Sequence, residues 1–113
     1  MAALKGFQKQ YLRGLAHCLK PVVQIGKEGM TEGVIRAVDE ALQQHELIKI
    51  KFIEVKDKQQ KEALSSEIGV RTHSESVGTI GHLAILYRPQ ADPEKRKIAL
   101  PQKGKSREGR VSR

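Results

Sequence analysis

Lys20-Pro21-Val22-Val23-Gln24-Ile25-Gly26-Lys27-Glu28-Gly29 is the stretch whose reading decides the fold. Pro-Val-Val-Gln-Ile is a short apolar run between turn residues, the pattern of a buried strand. It stops at Gly26-Lys27-Glu28-Gly29, and Met30-Thr31-Glu32 leads into a helical pattern. A strand that turns through a glycine-flanked loop onto a helix start points N–H groups and the positive end of a dipole at one spot. That spot suits a phosphate. Glycines at both ends allow positive φ and close approach of a ligand, and Lys27 adds a point charge. Taken alone, G-x-x-G is only a turn, so its surroundings decide whether it is more.

Downstream, Thr31 is a good N-cap, and Val34, Val38, Ala41, Leu42 and His45 recur with helical spacing, predicting a helix over about 32–46. Leu47 to Val55 reads as a strand with Ile48, Ile50 and Phe52 on one face. Lys49 and Lys51 share the other face with Ile53 and Val55. That mixture implies a sheet covered at one end and open at the other, with the two lysines at the open end. Asp57 and Gln60 suggest a capping box before a short helix ending at Gly69 as C-cap. Val70 to Ser76 is polar and fits an edge or a loop. Val77–Ile80 and Leu83–Tyr87 are strands joined by Gly81-His82, glycine first, as a type II′ hairpin requires.

Upstream, Leu4, Phe7, Tyr11, Leu12 and Leu15 form one apolar stripe of an amphipathic helix over 4–16. Cys18 beside His17 reads as a small buried apolar residue beside a helix-end charge, since adjacent residues on a helix point apart. The order helix, strand, helix, strand, helix, strand, strand gives an α/β sandwich of α-β-α-β-α-β-β type. Its two strand–helix–strand units imply right-handed crossovers and a parallel core, with one antiparallel strand added by the hairpin.

The chain of 113 residues carries a formal net charge of +8. Such a charge favours a polyanion partner. Its distribution is uneven. Residues 1–87 hold 12 Lys/Arg against 10 Asp/Glu, and residues 88–113 hold 9 against 3. The excess sits on the C-terminal segment, where residues 102–113 combine Gly, Ser and basic residues and are expected to be a disordered basic tail after a domain spanning 1–101. Lys97-Ile98-Ala99-Leu100-Pro101 has a short apolar patch suited to docking on the body. A single cysteine excludes an intramolecular disulfide, and no C-x-x-C pair suggests zinc. No cofactor, metal or membrane partner is expected. With no apolar h-region at the N-terminus, a monomer in the reducing cytosol is.

Three ordered blocks resemble the CRM domain (chloroplast RNA splicing and ribosome maturation) in its small bacterial YhbY-like form. They are Leu15-Ala16-His17-x-Leu19-Lys20-Pro21-Val22-Val23-x-Ile25-Gly26-Lys27-x-Gly29-x-Thr31, His45-Glu46-Leu47-Ile48-Lys49-Ile50-Lys51, and Ile80-Gly81-His82-x-x-x-Leu86-Tyr87-Arg88-Pro89. The resemblance spans about residues 4–89. It implies a mixed four-stranded sheet similar to the C-terminal domain of translation initiation factor three. It also implies RNA binding in assembly of the large ribosomal subunit, with the RNA-contacting loop on Gly26, Lys27, Glu28 and Gly29 and a further contact at Lys49. His82 departs from the family, many of whose members have Lys or Arg there. Glu28 is a second unusual feature, since a carboxylate repels phosphate.

The residues expected to hold RNA are therefore Gly26, Lys27, Glu28 and Gly29 of the loop, with Lys20, Lys49 and Arg13 extending the basic patch. Two rivals compete. A DNA-binding protein satisfies the charge alone. An enzyme on a phosphorylated small molecule would use the same loop, but would need a closed pocket with titratable groups.

Overall fold

The computed structural model describes residues 4–26 and 28–101, so Lys27 and the basic segment 102–113 lie outside the described residues. Three helices and four strands appear in the expected order: α1 (Gly6–Ala16), β1 (Pro21–Ile25), α2 (Glu32–His45), β2 (Leu47–Phe52), α3 (Lys58–Thr72), β3 (Glu75–Ile80) and β4 (Leu83–Tyr87), followed by a 3₁₀ turn at Pro93–Lys95. No helix among the described residues is long and apolar enough to cross a membrane.

The strands lie in the order β1-β2-β4-β3. β1 and β2 run parallel, whereas β4 pairs antiparallel with both β2 and β3. β1, β2 and β3 therefore point the same way, but the expected parallel core is interrupted. The hairpin folds β4, the one antiparallel strand, back into the slot between β2 and β3. β4 supplies Ala84, Ile85, Leu86 and Tyr87 to the interior, all nearly fully buried. A strand apolar on both faces gains most from the centre of the sheet.

Two apolar clusters sit on opposite faces. Under α2 and α3 lie Val23, Ile25, Val38, Leu42, Ile48, Ile50, Phe52, Val55, Ile68, Ala84 and Leu86. Under α1 lie Leu12, Ala16, Leu47, Val77, Ile85 and Tyr87, joined by Ile98 and Leu100 from the C-terminal segment. The apolar patch of residues 97–101 thus docks as expected. α1 covers only one end of its face. At the other end Gln24, Lys51, Leu83 and Ile80 form a row in register across the four strands. Gln24, Lys51 and Ile80 of this row are exposed, so the open end of the sheet is real.

Several local expectations are corrected. β2 stops at Phe52, and Glu54 at φ +67° turns the chain, so Val55 packs with α2 and α3 and not on the lysine face. Asp57 does cap α3, accepting from the N–H of Gln59, without the capping box. Gly69 is not the C-cap: α3 runs on to Thr72, and His73 in the left-handed conformation ends it. There Ser74 N–H donates to the Gly69 carbonyl at 2.8 Å, and a Cβ on Gly69 would lie 2.9 Å from the Ser74 carbonyl oxygen. Glycine is needed at that site for close approach of the returning chain. Cys18 is exposed, because α1 ends at Ala16 and the next two residues form a turn. In the hairpin Gly81 takes φ +59° while His82 stays at negative φ, consistent with the II′ turn.

Candidate nucleic-acid interface

The carboxyl ends of β1, β2 and β3 lie together, and α2 and α3 both begin from that end. In open α/β sheets this is where ligands bind. Hydrogen bonds tie the three loops to one another. Ile53 N–H donates to the Ile25 carbonyl at 2.7 Å, and Phe52 N–H to the His82 carbonyl at 2.8 Å. The glycine loop, the β2–α3 connection and the hairpin turn are therefore neighbours.

In the loop, Gly29 N–H donates to the Gly26 carbonyl at 3.0 Å, closing a turn of four residues. Only one of its two glycines needs the freedom of that residue. Gly29 has φ +77°, whereas Gly26 has no positive φ and open space around it, as close backbone approach by a ligand requires. Glu28 is exposed at the turn. Thr31 then caps α2, its hydroxyl accepting from Val34 N–H at 3.1 Å.

The other residues expected at the site are distributed differently. Lys20 is exposed but precedes β1, at the far end of that strand. Lys49 pairs with Pro21 at the same far end, and its ammonium donates to the Leu19 carbonyl at 2.9 Å and the His17 carbonyl at 3.4 Å. Along an extended strand the five steps from Pro21 to Gly26 span roughly 16 Å, so Lys49 closes the α1–β1 connection and leaves the loop out of reach. Arg13 lies on β3, the opposite edge of the sheet from β1. Its guanidinium donates to the Val77 carbonyl at 3.1 Å, and its stem lies over Gly78. The structure thus keeps Gly26, Glu28 and Gly29 together and sets Lys20, Lys49 and Arg13 apart.

Sequence reasoning placed Lys51 at the open end of the sheet without counting it among the RNA-holding residues, and passed over Lys56 and Lys58. Lys51 is one row closer to the loop than Lys49 on the same face, paired with Gln24 and Leu83. Lys56 and Lys58 lie in the β2–α3 connection and the first turn of α3. All three are exposed. Among the described residues the one ion pair joins Arg88 to Asp39, elsewhere in the molecule. The alternation of β2 carried the signal for Lys51. The charge of this end is mixed, since Glu28 and Glu54 are also exposed there and Asp57 caps α3. Among the described residues no group of three or more His, Cys, Asp or Glu is placed to hold a metal ion.

A mixed α/β domain with one four-stranded sheet, its strand ends carrying a glycine turn and exposed lysines, defines a class of small basic binding domains. The chain belongs to the CRS1/YhbY (CRM) domain family, whose model matches residues 4–88. It is 46% identical over 103 residues to an RNA-binding protein of Haemophilus influenzae, covering 91% of this chain and 100% of that one. It is 37% identical over 93 residues to a probable RNA-binding protein of Pseudomonas aeruginosa, covering 82% and 88% of the two chains. The solution structure of a hypothetical protein from Staphylococcus aureus superposes with a TM-score of 0.75 at 36% identity, covering 88% of this chain and 100% of that one.

Proposed function

We propose that the protein binds RNA at the loop-bearing end of its sheet and acts as a monomeric cytosolic factor on large-subunit ribosomal RNA or its precursor. The observation that carries this reading is the grouping of the Gly26–Gly29 turn with exposed Lys51, Lys56 and Lys58 around two helix starts. The naming of its relatives as RNA-binding proteins supports it. Lys27, which follows Gly26 in the sequence, is assigned to the same site. Backbone N–H groups and lysines position phosphates without reading bases. The chain has no Trp, two Tyr and two Phe, of which Phe52 and Tyr87 are buried. Few aromatics remain to stack bases, so shape and backbone are the features to be read.

The test is competition at fixed salt between a labelled RNA stem-loop with a single-stranded flank and duplex DNA of the same length. Preference for the duplex would favour the DNA rival. Lys27→Glu is expected to weaken RNA binding by about 1–3 kcal/mol, and unchanged affinity in the folded variant would remove the turn from the site. The enzyme rival requires a closed pocket at the turn. A mainly apolar groove of about 460 Å³ does exist, lined by Leu15, Leu19, Val22, Leu47 and Ile98 with Lys20 and His45, but it lies near the start of β1, away from the turn.

A further inference from the structure

Glu46 and Lys61 are the buried charged side chains of the described residues, at 0% and 6% exposure. Glu46 holds the C-terminal segment by hydrogen bonds from three backbone N–H groups. Lys61 makes no contact of that kind. From the second turn of α3 its ammonium reaches the hairpin, donating to the Gly81 carbonyl at 2.9 Å and lying 3.1 Å from Nδ1 of His82.

An ammonium has donors only, so Nδ1 of His82 must be the acceptor in that contact. The proton of the ring then resides on Nε2. A proton at Nδ1 would leave that contact with two donors and no acceptor. His82 itself is exposed. With Nδ1 turned inward to Lys61, the Nε2–H edge faces outward as a single, fixed, uncharged donor. Its place is the carboxyl end of the sheet. The His82 carbonyl accepts from Phe52 N–H, and the next residue, Ile53, bonds to Ile25 beside Gly26.

We infer that Lys61 is a positioning residue that presents His82 as a neutral hydrogen-bond donor to an uncharged acceptor on the RNA, a ribose 2′-hydroxyl or a base carbonyl. This rests on the RNA-binding reading and extends it by one contact of a different chemistry. The lysines around the turn neutralise phosphates, and each contributes to the salt dependence of binding. A neutral imidazole adds affinity and orientation without adding to that dependence. Lys61 adds its charge from beneath the turn and leaves the ring free to donate.

The ring tautomer is read directly, without RNA, from long-range proton–nitrogen spectra of the full chain at neutral pH. The Nε2–H form is expected in the native protein and a mixture in Lys61→Met. An Nδ1–H form or a charged ring in the native protein would overturn the inference. Binding is then measured with the labelled RNA stem-loop across a salt series. His82→Ala is expected to lower affinity about 3- to 10-fold with an unchanged salt slope, and His82→Gln, which keeps a neutral donor, to recover most of the loss. Lys61→Met should cost a similar factor, with no further loss in the double variant. A purely structural staple would instead lower the melting temperature of Lys61→Met and leave His82→Ala binding as the native protein does. That result sinks the inference, as does a salt slope reduced by His82→Ala, which would mean a charged ring on phosphate. Lys51→Gln keeps the two readings apart. If it weakens binding while His82→Ala does not, RNA binding stands and this inference falls. If the stem-loop is not bound at all, the RNA-binding reading falls first. Repeating the His82→Ala comparison on a 2′-deoxy stem-loop assigns the acceptor: a lost effect points to the 2′-hydroxyl, a retained one to a base.

Discussion

The two ends of the sheet use the same kinds of side chain in opposite ways. At the end where β2 begins, polar groups are tied to protein. The buried Glu46 carboxylate accepts from the N–H groups of Gln90 and Lys97 at 2.8 Å and of Ile98 at 3.1 Å. Arg88 donates to Asp39 Oδ1 and the Thr72 carbonyl at 2.7 Å, and to the Asp39 carbonyl at 3.0 Å. Lys49 is held by two carbonyls. At the end where β2 stops, Lys51, Lys56 and Lys58 are exposed. The difference teaches that charge in this chain has two roles. A single seven-residue block, His45 to Lys51, contains both, with Glu46 and Lys49 serving the fold and Lys51 facing outward.

The comparison breaks most sharply at Glu46. Glu46→Ala leaves three backbone N–H groups without their charged partner and frees the segment that carries Ile98 and Leu100 onto the α1 face. A loss of about 3–5 kcal/mol is expected, measured by urea unfolding, with RNA affinity of the folded protein unchanged. A loss below about 1 kcal/mol would mean that water replaces the latch at no cost. Gly69→Ala tests the same end. Alanine inside a helix ordinarily stabilises by about 1 kcal/mol relative to glycine. Here the added Cβ would meet the Ser74 carbonyl oxygen at 2.9 Å, so a net loss of about 1–3 kcal/mol is expected. Stabilisation would show that the α3–β3 corner yields.

The two lysines of β2 sharpen the contrast. Lys49→Met should lower stability by about 1 kcal/mol through its lost carbonyl contacts, with little effect on RNA. Lys51→Gln should leave stability within about 0.5 kcal/mol and reduce the salt slope of RNA binding by about one unit. Melting curves and a salt titration on both variants decide it. Exchanged results would invert the assignment of the two ends.

Much of this was legible in the chain because periodicity reports burial. The helical spacing of Val34, Val38 and Leu42 located α2 within a residue, and the alternation from Leu47 located the start of β2, although that strand ends at Phe52 and not at Val55. The glycine turn was legible for the same reason, as punctuation between two such patterns. Long-range partners were not. Nothing local to Lys49 says that its ammonium will meet Leu19, and nothing local to Arg13 says that it will cross onto β3. Lys49 was assigned to the site by its place in a family block and Arg13 by charge, and neither signal reveals what a side chain reaches. The insertion of β4 between β2 and β3 escaped notice because hairpin and crossover patterns look alike whichever side the last strand takes. Gly69 misled for a related reason. A helix-end glycine and a close-approach glycine carry the same letter, and only the returning Ser74 distinguishes them.

The smallest expected effect lies in Tyr87, whose ring is buried beside the Glu46 latch. Burial raises its pKa above the ordinary 10.0, the Glu46 carboxylate raises it further, and Arg96 opposes both. A raised native pKa means that the folded chain holds the phenolic proton more tightly than the unfolded chain does. The associated stability is fully present below about pH 10 and is lost as pH rises through the raised native value. Every other ionisable side chain is shared by native protein and Tyr87→Phe. Urea unfolding of the two proteins at pH 9 and pH 11 therefore isolates the phenol. The native protein should lose more stability than the variant over that interval. Equal losses would mean that water reaches the hydroxyl, and that the latch end is less closed than its burial and hydrogen bonding require.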